Sequence, residues 1–435
     1  MNTLAQQIDT GYSVPYVYTY PPTRALVPIQ KFSLDKNAYT DLVNVYIHIP
    51  FCEQQCTFCG YLTLIDRSRT FFERYVDCIV REIEQYRSIL GTRSIESVNF
   101  GGGTPSLLSI PQFERIMSAL KRVQPHLLET AKEISIEATP ESIQTDKIHR
   151  LKEMGFNRVS IGIQSFDDRE IAQSGRHNKN LTTHQTLKAL MDVGIPNICC
   201  DLMYGLRGQS KESWYHSVRC LIAYRPQTIE LYSTVTIPGT TLARTAPDMM
   251  TSTEKYQCYE YARDCLLNAG YVHDCHLRFI IPGQGFYRQQ ENVFKGQSLI
   301  GVGVGARTYA DTMHYRNVYD TKNSTQALEE YMKRIEAGNL AVQSCVTLSL
   351  EERMRRYIIY NLEHLDTDIF LAQYGTRIET IFGKELSELY EQELIEKRGN
   401  MITMTPKGLT YRDLAAHRFF SDTIRKGEEV YYAKI

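Results

Sequence analysis

Three cysteines fall within eight residues, Cys52, Cys56 and Cys59, directly after the apolar run Val43–Pro50. Three thiolates in this C-x3-C-x2-C spacing can hold three corners of a cubane iron–sulfur cluster, which normally takes four cysteine ligands. A local trio leaves one iron open to a small molecule. The other readings are a structural zinc site with its fourth ligand elsewhere, or a fortuitous cluster of cysteines. Zinc sites usually come as paired C-x2-C or Cys/His units, and no second pair follows here.

Other residues along the chain invite chemistry of their own. Gly101-Gly-Gly-Thr104-Pro105 lets backbone approach a ligand closely, with free N–H groups for a carboxylate or phosphate. A plain strand-to-helix turn is the simpler reading of the same run. The pattern is not that of a nucleoside triphosphate loop. Glu137 and Asp201 lie in apolar surroundings, Ile134–Glu137 and Cys199–Met203, where an unpaired carboxylate is costly. They need partners: ligand hydroxyls or an amine, buried arginines, or helix ends. Arg176 taken alone reads as a solvated helix residue, and His48 as a core histidine on an alternating strand.

These residues must be carried by regular elements. Short apolar runs predict strands at Val43–Ile49, Ile95–Phe100, Glu133–Ala138, Arg158–Ile163, Ile198–Tyr204 and Thr228–Val235. Between them, helical spacing predicts helices at Arg69–Leu90, Pro111–Val123, Pro140–Met154, Asp167–Ser174, Thr182–Val193 and Lys211–Tyr224, with Ser252–Ala269 after the sixth strand. The alternation predicts an α/β fold built on a parallel sheet, a partial (β/α)6 barrel. The site of such a fold lies at the carboxyl ends of its strands. The cysteines follow the first strand and the glycine run the second. Glu137 ends the third and Gln164 the fourth, Asp201 lies within the fifth, and Tyr232 sits on the sixth. Six strands thus deliver polar groups toward one mouth. The expected organisation is an N-terminal arm over 1–42, the barrel over 43–280, a connecting substrate-facing segment over 281–344 and a C-terminal domain over 345–435.

Composition narrows the class. A chain of 435 residues with 43% hydrophobic and 23% charged residues is an ordinary globular protein of one large domain plus a smaller one, or two to three domains. The net charge of −1 makes no global case for nucleic acid or an anionic membrane. Met1–Thr10 shows no secretory pattern, and no apolar stretch reaches the roughly 18 residues that span a bilayer. Eleven cysteines in such a chain read as reduced thiols in a cytoplasmic setting.

With these residues assembled, the chain resembles radical S-adenosylmethionine (SAM) enzymes, and more narrowly the oxygen-independent coproporphyrinogen III oxidase-like (HemN-like) family. The resemblance is carried by Tyr46-x-His48-x-Pro50-x-Cys52, the three cysteines, Gly101–Pro105, Glu137, Gly162-x-Gln164-Ser165-Phe166 and Arg176. Asp201-Leu-Met-Tyr204-Gly205-Leu206-x-Gly208-Gln209 and Leu299-Ile-Gly-x-Gly303 extend it. It implies that Cys52, Cys56 and Cys59 ligate a 4Fe–4S cluster whose open iron is chelated by SAM. Gly102, Gly103 and Thr104 would line the methionine portion. Glu137, Gln164 and Asp201 would contact the polar groups of SAM, Arg176 would meet a carboxylate, and Phe58 and Gly60 would flank the adenine. Tyr46 would lie at the same mouth as a catalytic residue. Tyr309, His314 and Tyr315 follow the Gly301–Gly305 run and are expected to face the substrate, Tyr309 and His314 as catalytic residues; aromatic packing under the lid is the plainer role for the three. One electron from the cluster would release a 5′-deoxyadenosyl radical, with a donor such as flavodoxin or ferredoxin. The protein would supply orientation and exclusion of water.

Residues 345–435 resemble the family's C-terminal domain. Leu348-x-Leu350-x2-Arg353 opens a helix, and Met401-Ile-Thr-Met-Thr-Pro-Lys-Gly408 follows a hairpin. A winged-helix-like module is expected, and without a basic surplus it reads as a substrate lid rather than a DNA reader. The family holds porphyrinogen decarboxylases, haem chaperones and class C methyltransferases or cyclopropanases. The decarboxylase pattern carries a further cysteine two positions after the third, where this chain has Tyr61. Tyr18-Thr-Tyr20-Pro21-Pro22 and Gln290-Glu-Asn292-Val-Phe294-x-Gly296 look closer to the methyltransferase and cyclopropanase branch. The expected reaction is therefore methyl or methylene transfer to an unsaturated carbon of a small molecule, with a second SAM possible. The alternatives are the decarboxylating oxidase and the haem chaperone.

Overall fold

The computed structural model describes residues 4, 17, 19–65, 71–245 and 249–426. Six strands run side by side where the apolar runs place them: β1 Leu42–Ile49, β2 Ser94–Gly102, β3 Glu133–Ala138, β4 Arg158–Gln164, β5 Asn197–Tyr204 and β6 Thr228–Ser233. Each pairs in parallel with the next. Helices α1 Phe72–Gln85, α2 Ile110–Val123, α3 Thr145–Glu153, α4 Asn180–Val193 and α5 Lys211–Tyr224 lie between successive strands, as parallel pairing requires. The helix expected over Arg69–Leu90 breaks at Tyr86, and a short helix follows at Arg87–Leu90; its expected start at Arg69 lies outside the described residues. The helix expected from Pro140 begins at Thr145, because Ile143 and Gln144 are extended after a turn at Pro140–Ser142.

The sheet continues beyond these six strands. On one side β7, Arg278–Ile280, lies antiparallel to β6. On the other, β8, Ser298–Val302, runs parallel to β1. Then β9 Arg307–Tyr309, β10 Met313–Asn317 and β11 Val342–Thr347 extend the edge in antiparallel steps. Much of the segment 281–344, expected as a connection, thus supplies sheet.

Residues paired across strands share a face of the pleat. One face carries Val43, Val45 and Ile47, Val98 and Phe100, Ile134 and Ile136, Val159 and Ile161, and Ile198 and Cys200, all buried in the main core beneath the helices. Each full burial of such an aliphatic side chain contributes about 1.5–3 kcal/mol. The opposite face is polar. Register links Tyr46 to Asn99, Asn99 to Ser135, Ser135 to Arg158 and Arg158 to Asn197. Two steps nearer the mouth it links Gly162 to Asp201, Asp201 to Glu230 and Glu230 to Arg278.

The C-terminal region runs helix Leu350–Asn361, strand His364–Asp366, helices Thr367–Tyr374 and Ile378–Glu391, and the hairpin Ile395–Arg398 with Met401–Met404. This is the element order of a winged helix. Phe370, Phe382, Leu389 and Ile402 form its own core, which Val17 and Tyr20 of the N-terminal arm join. The Val17 N–H donates to Asp413 Oδ1 at 3.0 Å, and the Ser421 N–H donates to the Tyr20 hydroxyl at 3.2 Å. Tyr18 and most of the arm before it lie outside the described residues. Among the described residues, no helix is long and apolar enough to cross a membrane.

Candidate active site

The cysteine loop leaves β1 at Pro50 and is strapped down by backbone. The Gly103 N–H donates to the Ile49 carbonyl and the Thr104 N–H to that of Phe51, each at 2.8 Å. The Cys59 N–H closes a turn onto the Cys56 carbonyl at 3.2 Å. Two side chains from other elements reach the sulfurs: the Thr104 hydroxyl donates to Cys52 Sγ at 3.5 Å, and Arg176 Nε donates to Cys56 Sγ at 3.3 Å. Gly103 has to be glycine for this approach, since a Cβ there would lie 2.9 Å from Cys52 Sγ. Burial pushes the Cys52 thiol up to about 12 against the opposing Thr104 hydroxyl, and burial also raises Cys59. Such thiols give up their protons to a metal centre rather than to water. Three sulfurs on one loop, with a guanidinium set against one of them, fit the cluster expected from the spacing.

Beside the thiols stand the carboxylates. The Gly102 N–H donates to Glu137 Oε2 at 3.0 Å. Enclosure by the surrounding chain raises Glu137 to about 7 despite that bond. Asp201 is raised well above the carboxylate range by burial and then by the charge of Glu230, although the Ser160 hydroxyl donates to it at 3.3 Å. Donor atoms of Cys199, Asp201 and Glu230 lie within 4.8 Å of one another. The Arg158 and Arg278 guanidiniums stand 3.7 Å from Glu230, so charge is balanced there without a metal. Gln164 ends β4 with φ of +69°, strained for a residue with a side chain. It is 7% exposed, and its Oε1 has no hydrogen-bond partner among the described residues. A strained backbone and an orphaned buried acceptor at one position are what a ligand-binding residue shows before its ligand is counted.

Tyr46 and His48 stand together on the inner face, the Tyr46 hydroxyl 3.1 Å from His48 Nδ1. Burial first, then the charges of Arg316 and Arg307, lower His48 to about 4, so a neutral imidazole faces the phenol. Gly102, at φ of +117°, leaves room for that ring; a Cβ would lie 2.6 Å from His48 Cε1. Phe58 and Gly60 sit half-buried on the cysteine loop, with Gly60 packed against Ile237. Tyr309 is half-buried, its hydroxyl 3.5 Å from Arg307 Nη1. His314 is 2% exposed, with Nε2 held 3.0 Å from Arg356 Nη1 of the C-terminal helix; the packed contact, not an open mouth, is where the structure places it. The reading of the sequence missed Ser160, Glu230 and Arg158 as neighbours of Asp201, and Arg278 beside Glu230. Alternation along β4, β5 and β6 was the available signal.

Residues 46–221 match the Radical SAM superfamily. The haem chaperone HemW of Lactococcus lactis is 25% identical over 387 residues, covering 88% of this chain and 98% of the relative. The oxygen-independent coproporphyrinogen III oxidase of Salmonella typhimurium is 27% identical over 386 residues, covering 84% of this chain and 82% of the relative. In three dimensions the chain is similar to the coproporphyrinogen III oxidase HemN of Escherichia coli, with a TM-score of 0.80 over 95% of this chain and 98% of that one at 21% identity. Over residues 46–221 the fold and the site are those of a radical SAM domain, the superfamily that works with a 4Fe–4S cluster and SAM. More particularly, the chain is similar in sequence to HemW and to the oxygen-independent coproporphyrinogen III oxidase, and in fold to HemN.

Proposed function

We propose that the chain cleaves SAM reductively and directs the resulting radical at a tetrapyrrole acid. The observation that carries this reading is the meeting of the Cys52, Cys56 and Cys59 loop with Gly102–Thr104, Glu137, Gln164, Arg176 and Asp201 at one end of the parallel sheet. The names of the relatives, an oxidase of coproporphyrinogen and a chaperone of haem, supply the substrate class. Cys52, Cys56 and Cys59 would hold a 4Fe–4S cluster, and that group, when bound, would supply the one electron needed for reductive cleavage of the sulfonium carbon–sulfur bond, with methionine as the leaving group.

The chain's own residues do the rest. Gly102, Gly103 and Thr104 present backbone to the methionine portion of SAM, and Glu137 faces its ammonium. Gln164 and Asp201 take its hydroxyls and polar edges, and Phe58 and Gly60 flank the adenine. Arg176 fixes the Cys56 sulfur. Tyr46 keeps its proton against His48 Nδ1 and stands ready to give it to a substrate atom. The electron comes from a small carrier such as flavodoxin or ferredoxin.

A second reading, methyl or methylene transfer, rests on Tyr61. It occupies the position where the decarboxylase pattern has a fourth cysteine, and the residue is exposed on the cysteine loop. The relatives named above lend that reading no support. Anaerobic reconstitution with dithionite and SAM separates the cases. 5′-Deoxyadenosine with carbon dioxide from coproporphyrinogen marks the oxidase. 5′-Deoxyadenosine together with S-adenosylhomocysteine marks methyl transfer. Tight stoichiometric haem without turnover marks the chaperone. No SAM cleavage under any of these conditions refutes the enzyme.

A further inference from the structure

The inner face of the sheet carries a second charged feature, opposite in sign to the carboxylates. Arg307 of β9 and Arg316 of β10 are direct cross-strand partners. Like charges placed opposite one another on a sheet destabilise it. The register shows which way they face. Gly301 pairs with Tyr46, Leu299 pairs with Tyr309, and Tyr309 pairs with His314. Arg307 and Arg316, two residues along from that last pair, therefore share a face with Tyr46 and His48.

The surroundings of Arg316 are built to keep it there. Its guanidinium lies over the Tyr319 ring, 3.0 Å from the centroid, and its Nε donates to the Gly305 carbonyl at 3.3 Å. Gly305, at φ of +69°, makes room for that ring; a Cβ would lie 3.0 Å from Tyr319 Cδ2. Among the described residues no carboxylate lies within ion-pair distance of Arg316, whereas Arg158 and Arg278 each have one. Burial and the facing Arg307 pull Arg316 down to about 10, the mark of a cation held where it lacks a counter-charge. A ring and a carbonyl orient a guanidinium without neutralising it. They leave its fork for a planar anion, which arginine binds through paired parallel N–H bonds.

We infer that Arg307 and Arg316 form a carboxylate clamp for the substrate, on the side of the mouth away from Glu137 and Asp201. This rests on the reading of the substrate as a tetrapyrrole acid, and it assigns the substrate's side-chain carboxylates to the β9–β10 hairpin. The mouth is then divided: its acidic side receives the cationic groups of SAM, and its basic side receives the acid groups of the second reactant. The division sets the substrate's orientation before any bond is broken.

The test uses the reconstituted holoprotein with SAM and two probes, coproporphyrin III and its tetramethyl ester, with binding followed by absorbance and fluorescence. The wild type is expected to bind the acid at least ~10-fold more tightly than the ester. Arg316→Gln and Arg307→Gln are each expected to weaken the acid about 10- to 100-fold and to leave the ester within about 2-fold. If Arg316→Gln loses both probes, Arg316→Lys decides, since it keeps the charge and most of the bulk: a retained preference for the acid supports the clamp, and a lost one overturns it. Equal binding of acid and ester by the wild type overturns the clamp alone. So does a parallel loss of SAM affinity in the variants, which would give the arginines to the carboxylate of SAM. If the wild type binds neither probe, the tetrapyrrole reading falls and takes the clamp with it, while SAM cleavage still reports on the radical site.

Discussion

Arg176 and Cys56, separated by 120 positions, meet at 3.3 Å, and the same guanidinium holds the Gly162 carbonyl of β4 at 2.5 Å. The cysteine loop is thereby tied to the fourth strand as well as the first. Arg176→Ala is expected to leave a folded chain with less iron and sulfide per protein and at least ~10-fold slower SAM cleavage, the cost of losing a charge-assisted bond to a half-buried sulfur. Iron analysis and the electron paramagnetic resonance signal of the reduced protein check this. Wild-type metal content and signal in the variant would reduce Arg176 to a packing residue.

Replacing any one of Cys52, Cys56 or Cys59 by alanine is expected to abolish the broad iron–sulfur absorbance and all 5′-deoxyadenosine formation. Anaerobically purified wild type carrying zinc instead of iron would falsify the assignment of the thiol trio.

Gly103→Ala probes the same place through shape. Its Cβ would meet Cys52 Sγ at 2.9 Å and the Phe51 carbonyl at 2.7 Å, so the loop must shift. The variant is expected to melt within a few degrees of wild type yet incorporate less than about half the iron, since overpacking at a loop costs about 1–3 kcal/mol locally. Full iron content would show that the loop has more freedom than its hydrogen bonds suggest.

Glu137 predicts a pH dependence. Its folded value near 7 lies above the usual 4.5, so the folded chain binds the proton more tightly than the unfolded one. The stabilising effect of that proton is fully present below about pH 4.5 and is lost as pH rises through 7. Without SAM, wild type is expected to lose up to about 3 kcal/mol over that interval relative to Glu137→Gln. Urea unfolding of both proteins at pH 5 and pH 8 measures the difference; parallel curves would remove Glu137 as a buried titrating group.

The join between the barrel and the C-terminal region depends on Glu363, which is 7% exposed, accepts from Arg412 Nε at 2.7 Å and lies 3.1 Å from His276 Nδ1. Its neighbours' charges outweigh burial and hold its carboxyl far below the usual range. The resulting stability is present above about pH 4.5 and fades as pH falls below it. Glu363→Ala leaves Arg412 buried without this partner and is expected to cost about 3–5 kcal/mol. Thermal unfolding at neutral pH reads this as a drop in Tm, and an unchanged Tm would mean that the other partners of Arg412, Asp413 and the Val17 carbonyl among them, satisfy it.

Much of the barrel could be read directly from the chain. Strands β1–β6 are short, rich in β-branched residues and separated by helical spacing, so periodicity alone located them to within a few residues. Strand β8 escaped because Ser298–Val302 is five residues long and runs into the glycines at 301, 303 and 305. The β9–β10 hairpin escaped because its inward residues, Arg307, Tyr309, His314 and Arg316, do not look like a buried face. Helix ends at Tyr86 and Thr145 are set by local backbone turns that apolar spacing does not register.

The sequence by itself determined the cysteine trio, the glycine run and the order of strands and helices, because ligand spacing and hydrophobic period are local properties of the chain. Only the tertiary structure decided that Arg176 reaches Cys56, that Glu230 lies beside Asp201 with two arginines against it, that His314 is packed against Arg356, and that Arg307 faces Arg316. Those relationships are created by strand register and by contacts between residues tens to hundreds of positions apart. A pleat that buries apolar side chains beneath the helices must turn the alternate residues inward together, and the charges that meet there depend on which strand lies beside which.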